Sequence, residues 1–579
     1  MTDWIPTLPV DSLPDEGGAR FTYFDKRLAM FRTPRGVFVT DNRCPHEGYA
    51  LVQGDVKEQT LTCAWHNWKF DLADGSCIFG GEGVRTYPVE VRDGLVFVDV
   101  EDPSPEIVRP QLFRSLLEAI GDTDVGRIAR DTMRLQRIGT PLAEIVREGV
   151  RYAAPRAEYG WDHSLATLAD CLRLAALFDG PLRSLPVVQG LSVASEDQVR
   201  RPLRVQPDPV DVVARFGSVD DALRAFPRLV DDEEVDDAEG VFRGLIGVGA
   251  TREQLRHALL SAVTDHFLSY GHAMIFTQKA FELLDSLGWD EAETVLAPLV
   301  PEITWSTRYD RLPYMRRFRA AWDGAGLDLQ ELLRRQDGGA LDADAFRRSL
   351  LDGSPEDAFG ALRVALAAGV PVPRLIDETT RAASERLGRF DIELDLDDTN
   401  EWGWLDVTHT LTYSDALRWS WSVDPSPEVL RGLFHAAWFV QWTGRLDAKS
   451  PGATPEPHAT EDAEDLFEAI SERDPVKAVA MVRGYRGPEE PLTRALGRAA
   501  AEDHSVAPIM VAHTVKTAQA AIVESRELGG GREGREPLAA AARFLAAPKR
   551  ERWVTYATLE AQSFVAGRGR GDTDPSLID

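Results

Sequence analysis

Two kinds of hydrophobic pattern follow each other along the chain. Between residues 18 and 100 the apolar residues fall in short runs rich in β-branched and aromatic side chains, as in ARFTYF, RLAMFRTP, GVFVTDN, TLTCAWH and GLVFVDV. Such runs, bounded by turn residues, are typical of β-strands. The Asp-Gly pairs in ADGS and VRDGL favour tight turns between them. This part of the sequence predicts a small all-β domain.

From about residue 125 the apolar positions recur with helical spacing. Segments such as DHSLATLADCLRLAALF, REQLRHALLSAVTDHFLSY and MIFTQKAFELLDSLG are rich in Ala, Leu, Arg and Glu, which favour helices. Asp, Ser or Pro often stands where a helix would begin. The pattern therefore predicts a multidomain chain, with an all-β domain over 1–105, a linker over 106–124 and a large all-α domain over 125–579.

The composition and net charge of the chain exclude some classes of binding partner. Its 579 residues include 65 basic and 94 acidic ones, which gives a net charge of −29. A field of this sign repels nucleic acid and anionic membranes, so neither is an expected partner. The sequence has neither the basic-then-apolar pattern of a secretory signal nor an apolar run long enough to span a membrane. We expect a cytoplasmic protein, and the sequence leaves its oligomeric state, including a homo-oligomer, open.

Two of the four cysteines stand in matched motifs. Cys44-x-His46 is followed after sixteen residues by Cys63-x-x-His66. Structural zinc sites usually group cysteine with cysteine and histidine with histidine. A Rieske [2Fe–2S] centre instead needs two thiolates on one iron and two imidazoles on the other. We therefore predict that these four residues bind a [2Fe–2S] cluster, with zinc as the alternative.

The sequence around these motifs supports the same interpretation. CPHEGYALVQGDV, CAWHNWKFDLADG and YPVEVRDGLVFV resemble the Rieske domains of ferredoxins and oxygenases, over about residues 4–101. Asn67 stands where the family usually has glycine, which predicts a change in the loop backbone. Respiratory-type members carry an extra cysteine after each ligand pair; here Gly48 follows the first pair, and Cys77 has no such partner. The resemblance implies the oxygenase and ferredoxin type, which moves one electron at a time.

Several of the eleven histidines lie in separate predicted helices, which is how helical bundles build metal sites. His513 and Lys516 are three residues apart and share a helix face. His266 and His272 point about 120° apart unless Gly271 breaks the helix. Any one buried histidine can equally be a hydrogen-bonded core residue. The first choices for metal ligands are His163, His272, His409 and His513, with His266 and His435 in reserve.

These helical segments resemble the questin-oxidase-like family of non-haem iron oxygenases, which act on aromatic polyketides such as anthraquinones. The resemblance extends over about residues 150–520. Leu165 and Phe276 stand where the family motifs often hold an additional histidine. The matching segments are the leucine-rich helix after His163, GHAMIFTQKAFEL with His272, THTLTYSDAL with His409, and HTVK with His513 and Lys516. The resemblance implies a mononuclear non-haem iron held by these histidines together with a carboxylated Lys516.

We therefore predict a Rieske domain fused to a helical non-haem iron oxygenase. It would hydroxylate or oxidatively cleave an aromatic or polyketide-like substrate, using O2 and electrons relayed by the cluster. No flavin or nicotinamide fingerprint is present, so an external flavin reductase or ferredoxin would reload the cluster. Two alternatives stay open. One is an electron carrier whose helical half binds a partner protein. The other is a ring-hydroxylating oxygenase with two histidines and a carboxylate, whose nearest pattern, Asp265-His266 with His272, has the wrong spacing.

Overall fold

The computed structural model describes residues 4–15, 17–334, 338–397, 402–449, 455–502, 507–550 and 553–566. The chain divides into two compact units: Met1–Ala119 with Asp124–Thr140, and Ile120–Thr123 with Pro141–Asp579. Within the described ranges, no helix combines the length and apolar character needed to cross a membrane.

The first unit contains short antiparallel strands. They are β1 Trp4–Pro9, β2 Ala19–Tyr23, β3 Lys26–Thr33, β4 Gly36–Asp41, β5 Asp55–Lys57, β6 Thr60–Thr62, β7 Lys69–Asp71, β8 Cys77–Phe79, β9 Thr86–Tyr87, β10 Val89–Arg92 and β11 Leu95–Asp99. They form three sheets, with the orders β1-β11-β10, β2-β3-β4-β9 and β5-β6-β7-β8. Strand β1, an edge strand that pairs with β11, was not predicted. Its sequence WIPTLP contains two prolines, which are tolerated in edge strands but weaken the strand pattern.

The predicted ligand motifs lie in the connections between these strands. Cys44 and His46 follow β4, and the run TLTCAWH leaves its strand at Thr62, so that Cys63 and His66 occupy the turn before β7. Cys44 and Cys63 are buried in an apolar cluster that also contains Leu51, Leu61 and Phe70. Both motifs are thus anchored in the core of the β region by their cysteines.

The segment 106–124, predicted as a linker, is mostly helical. Helix α1 covers Pro105–Gly121 and helix α2 covers Val125–Arg137. Proline is tolerated in the first turn of a helix, so Pro105 begins α1 instead of keeping the chain extended. Arg127 Nε donates to Ser115 Oγ across 2.9 Å, which joins α2 to α1. The compact unit that holds the sheets therefore continues to Thr140, beyond the predicted boundary at residue 105.

The second unit is built of helices, and the predicted fold class, a small all-β domain followed by a large helical region, is confirmed. Its helices are α3 Leu142–Ala153, α4 His163–Leu174, α5 Leu185–Asp197, α6 Val212–Phe216, α7 Val219–Asp231, α8 Val235–Gly247, α9 Arg252–Asp265, α10 His272–Leu287, α11 Ala292–Leu296, α12 Leu299–Trp305, α13 Arg316–Ala325, α14 Leu329–Arg334, α15 Ala343–Leu351, α16 Pro355–Ala367, α17 Val372–Arg389, α18 Ile392–Leu396, α19 Trp404–Val423, α20 Pro427–Trp442, α21 Glu464–Ser471, α22 Pro475–Gly484, α23 Glu489–Ala501, α24 Pro508–Glu527, α25 Gly531–Gly534, α26 Glu536–Ala546 and α27 Trp553–Val565.

Four of these helices form a closed ring inside the second unit. Helix α4 packs on α10, α10 on α19, α19 on α24, and α24 on α4 again. Helices α10 and α24 are buried along most of their length, including polar residues such as Lys279 and Lys516. Polar side chains that these four helices direct inward are therefore withdrawn from water.

Candidate metal centres

The four predicted cluster ligands lie on two facing loops of the first unit. The ring centroids of His46 and His66 are 4.5 Å apart. Burial, together with the neighbouring Cys63 thiol, raises the pKa of the Cys44 thiol to about 11. Binding of a metal would remove these thiol protons, since a coordinating thiol is deprotonated. The two cysteines and two histidines are thus close enough to serve a single centre.

The hydrogen bonding of these side chains also fits an iron–sulfur cluster. His46 Nδ1 is buried and has no hydrogen-bond partner among the described residues, which is costly unless a ligand occupies that nitrogen. The other loop ends in His66, whose side chain is 39% exposed. Each loop is closed by a backbone bond of 2.8 Å, from Cys44 N to Tyr49 O and from Cys63 N to Trp68 O. These backbone hydrogen bonds fix the conformation of both loops.

Asn67 does not distort its loop in the way a bulky residue would. Its φ is 61°, in the left-handed region that glycine favours. Asparagine is one of the few other residues that enter this region readily. The loop thus has a conformation that glycine would also adopt. Asn67 therefore does not require the change in the loop backbone that the sequence predicted.

In the second unit, the five predicted residues lie together inside the ring of α4, α10, α19 and α24. His163 Nε2 lies 3.0 Å from His272 Nε2, which lies 2.9 Å from His409 Nε2. His513 Nε2 and Lys516 Nζ lie 3.2 and 3.3 Å from His409 Nε2. Four imidazole nitrogens and one amine, contributed by four helices, are therefore directed at one point. Their role as metal ligands stays a prediction.

Backbone hydrogen bonds fix the orientation of three of these imidazoles. In each, Nδ1 donates to a carbonyl near the preceding helical turn: His272 to Ser269 (2.6 Å), His513 to Ile509 (2.7 Å), and His409 to Leu405. This assignment leaves Nε2 as an unprotonated acceptor facing its neighbours. Lone pairs this close repel one another unless a cation lies between them. The arrangement matches histidines oriented for a metal, whose other ring nitrogen is normally hydrogen-bonded.

Burial lowers the pKa of each of these five groups. It lowers the pKa of His272 to about 3 and holds the pKa values of His163, His409 and His513 well below their ordinary value. Burial also lowers the pKa of the Lys516 amine to about 7. Neutral imidazoles are the form that binds metals. A lysine that loses its proton near neutral pH can also react as a nucleophile, for example with CO2.

Local structure places two of the histidines at helix starts. The Asp162 carboxylate caps α4 by accepting from Ser164 N at 2.9 Å, so that α4 begins at His163. Helix α10 begins at His272, after the turn Ser269–Gly271. This turn breaks the helical pattern after α9, and its last residue, Gly271, has a φ of 87°. The break that would separate His266 from His272 is therefore present.

Replacing Gly271 with alanine should weaken the metal binding that is predicted for the four histidines. An added Cβ would lie 2.7 Å from Cδ2 of Tyr413, and the positive φ would strain the backbone by about 1–2 kcal/mol. The turn would shift, and His272 would shift with it. Gly249→Ala is the control, because Gly249 has a φ of 79° and open space around the added atom. Iron binding, measured by metal titration, should fall only for Gly271→Ala; equal affinities in both variants would contradict this role of the turn.

The reserve histidines lie outside the cluster. His266 is 2.8 Å from the Asp310 carboxylate and 3.0 Å from Asp231, which makes it part of a salt-bridge network. His435 is buried against the rings of Phe267 and Phe318. The two-histidine, one-carboxylate alternative also finds no support in the geometry. His266 is held away from His272 by these carboxylates, and Asp265 pairs with Arg431.

Aromatic side chains lie around the histidines, and their contacts with the imidazole rings were not predicted from the sequence. The Phe276 ring lies 5.5 Å from His163 and 5.3 Å from His272, at a position where the related motif often has histidine. The Tyr270 ring lies 5.6 Å from His409 and 5.7 Å from Trp442. Tyr270 stands two residues before His272, and its place next to that motif was the one available signal. Tyr270 and Phe276 are buried, so their rings cover one side of the four histidines.

Lys516→Met should stabilise the metal-free protein, most strongly near and below pH 7. Burial lowers the pKa of Lys516 from 10.5 to about 7. Between these values the unfolded chain holds a proton that the folded protein lacks, so the wild-type free energy of unfolding rises with pH. Methionine does not titrate, so the advantage of the variant is full below about pH 7 and disappears toward pH 10.5. It should reach a few kcal/mol, because each pKa unit corresponds to about 1.4 kcal/mol.

The measurement is chemical unfolding with a chelator, followed by the helical circular dichroism signal at pH 7 and pH 9. Lys477→Met is the control, because Lys477 pairs with Glu472 at the surface across 2.7 Å. The stability difference between Lys516→Met and wild type should shrink from pH 7 to pH 9. A difference that is the same at both pH values would contradict a buried, neutral Lys516 amine.

Comparison with known proteins agrees with the first of the two centres. A compact β unit with two mixed Cys/His loops defines a Rieske-type iron–sulfur domain. The family model of the Rieske [2Fe–2S] domain matches residues 3–88. The ferredoxin subunit of a 3-phenylpropionate/cinnamic acid dioxygenase from Photorhabdus laumondii is 32% identical over 96 residues, which are 16% of this chain and 90% of that protein. The chain belongs, through its N-terminal unit, to the Rieske [2Fe–2S] domain family, and the predicted cluster is supported.

Two further relatives show how far the similarity extends. The oxygenase subunit of a 3-chlorobenzoate-3,4-dioxygenase from Comamonas testosteroni is 38% identical over 109 residues, 16% of this chain and 25% of that protein. The solved structure of a Sphingomonas yanoikuyae B1 ferredoxin is 28% identical, with a TM-score of 0.17, over 17% of this chain and all of the ferredoxin. The chain therefore spans a quarter of the oxygenase subunit, and these similarities concern the Rieske unit.

Proposed function

We propose that the protein is a Rieske-linked oxygenase whose helical unit binds a mononuclear non-haem iron. The observation that carries this proposal is the convergence of four neutral imidazoles and the Lys516 amine at one buried point. The [2Fe–2S] cluster of the same chain could supply electrons, one at a time, to an iron bound at this site. The proposed iron ligands are His163, His272, His409, His513 and Lys516, as the resemblance to questin-oxidase-like proteins implies.

Lys516 would bind as a carbamate. An ammonium has three donors and no acceptor, so it cannot be a ligand. A neutral amine can attack CO2, and the product is a carboxylate-like group with loss of one proton. Burial lowers the pKa of Lys516 to about 7, so part of the amine is neutral near neutral pH. The carbamate would add an oxygen ligand and a negative charge to four imidazoles that carry none.

The residues around the site would bind the organic substrate and keep water away. When bound, the iron supplies the means of activating O2 for hydroxylation or oxidative C–C cleavage. The rings of Tyr270, Phe276 and Trp442 favour a flat, apolar molecule, since aromatic surfaces stack well on one another. The names of several relatives of the Rieske unit refer to aromatic compounds, including chlorobenzoate, cinnamic acid and naphthalene. These observations support an aromatic or polyketide-like substrate.

The Rieske unit would deliver electrons to the iron one at a time, within or between chains, after reduction by an external flavin reductase or ferredoxin. Several relatives are separate ferredoxin subunits that this chain covers over nearly their full length. Fusion of the same unit to a helical domain favours one dedicated electron acceptor. The second candidate, an electron carrier whose helices bind a partner protein, does not explain the buried cluster of histidines.

Iron analysis and O2 uptake test this proposal together. Anaerobically purified protein should contain about three irons per chain, two in the cluster and one on the histidines. With a reductase and a panel of aromatic compounds, at least one compound should raise O2 uptake and yield an oxidised product. Two irons per chain, with no substrate-dependent O2 uptake, would favour the electron carrier instead.

A further inference from the structure

Helix α2, which lies beyond the residues that match the family model, contacts the first ligand loop and the segment Gly81–Glu82 of the Rieske unit. Three arginines on one face of this helix, Arg127, Arg130 and Arg134, make these contacts. Arg127 Nη1 donates to Gly81 O across 3.3 Å, and Arg130 Nη1 donates to His46 O across 3.4 Å. The guanidinium of Arg130 thus contacts the backbone of a predicted cluster ligand.

A buried carboxylate holds Arg130 in this position. Glu82 is 6% exposed, and its carboxylate accepts from Arg130 Nε at 3.0 Å while also pairing with Arg134. Arg134 is shared with Asp131, which is fully buried and 3.0 Å away. The charges therefore alternate, and Arg130 is the cation of this network whose hydrogen bond reaches a ligand residue.

We propose that Arg130 sets the reduction potential of the [2Fe–2S] cluster, with Glu82 as its counter-charge. Reduction adds one negative charge to the cluster. A fixed cation hydrogen-bonded to the backbone of a ligand stabilises that charge, while a fixed anion opposes it. Both groups are partly or fully withdrawn from water, so salt screens their effect less than it would at the surface. Helix α2 would thereby adjust the reduction potential at which the cluster donates electrons to its acceptor.

Charge variants give opposite expected shifts. Arg130→Gln should lower the midpoint potential, and Glu82→Gln should raise it. Each shift should correspond to about a threefold to tenfold change in the reduction equilibrium, or about 30–59 mV for one electron. Arg130→Lys keeps the charge and should stay near wild type, which a purely structural role of the guanidinium fork would not predict. Arg137→Gln is the control on the same helix, because the Arg137 side chain is 79% exposed and pairs with Asp25 across 3.4 Å.

The readout is a redox titration of the cluster by circular dichroism or EPR in the full-length protein, with cluster content measured in parallel. Opposite shifts for Arg130→Gln and Glu82→Gln, with Arg130→Lys and Arg137→Gln unchanged, would support the proposal. An unchanged potential in Arg130→Gln, or an equal shift in Arg130→Lys, would overturn it. If Arg130→Gln loads no cluster, Glu82→Gln decides: its potential must rise, and a constant potential would overturn the proposal. None of these outcomes depends on iron in the helical unit.

Discussion

Replacing His409 with alanine is expected to remove the mononuclear iron and leave the [2Fe–2S] cluster intact. His409 Nε2 lies within 3.3 Å of His272, His513 and Lys516, which makes it the common neighbour in the site. Its loss removes the imidazole that α19 contributes to the site. Loss of a group that merely orients a ligand costs about 10–100-fold in metal affinity or activity, so loss of the ligand itself should cost more.

The measurement is iron per chain, together with the cluster absorbance and product formation. The content should fall from about three irons to about two, with an unchanged cluster spectrum and no product. His257→Ala is the control, because His257 is 53% exposed and pairs with Asp424 at 2.8 Å. A His409→Ala protein that retains the third iron and normal turnover would mean that the iron is bound elsewhere.

Replacing His66 with alanine is expected to stop repeated turnover while leaving the helical site loaded. His66 lies at the open edge of the Rieske unit, with its ring centroid 4.5 Å from that of His46. Loss of one imidazole should remove or disable the cluster, so that electrons from a reductase no longer reach the iron. The multi-turnover rate should fall by more than about 100-fold, since even outer hydrogen-bond partners of metal ligands are worth about 10–100-fold.

Glu47→Gln is the matched control for this variant. The Glu47 carboxylate lies 3.7 Å from His66 Nε2 and is 53% exposed, so the change should leave the cluster and the turnover rate near wild type. The iron content of the helical site should be the same in both variants. If His66→Ala turns over normally with the same reductase, the Rieske unit is not the electron donor.

The parts of the structure that the sequence predicted best are those determined by local spacing. The mixed pairs at Cys44 and Cys63 predicted two ligand loops, because the chemistry of a [2Fe–2S] cluster requires that combination within a short stretch. His513 and Lys516 were placed on one face by helix geometry alone. The fold class followed from hydrophobic period, since strands and helices bury residues at different spacings.

Long-range placement was harder to predict. His266 and His435 looked like His272 and His409 in sequence, because burial alone does not tell which histidine meets a carboxylate and which meets other histidines. The segment 106–124, predicted as a linker, contains most of helix α1, because a proline is compatible with the first turn of a helix. The contact between Arg130 and His46 joins residues 84 apart in sequence, and no local pattern encodes it.

One EPR experiment tests whether the protein holds both a Rieske cluster and an iron on the four histidines. The anaerobic, fully reduced protein is exposed to nitric oxide, which gives mononuclear ferrous iron a signal distinct from that of the reduced cluster. Both signals are expected in about a one-to-one ratio of cluster to iron, with the nitrosyl signal lost in His409→Ala and kept in His257→Ala. A full Rieske signal without any iron–nitrosyl signal, in protein purified with iron present throughout, would mean that the histidines hold no ferrous iron.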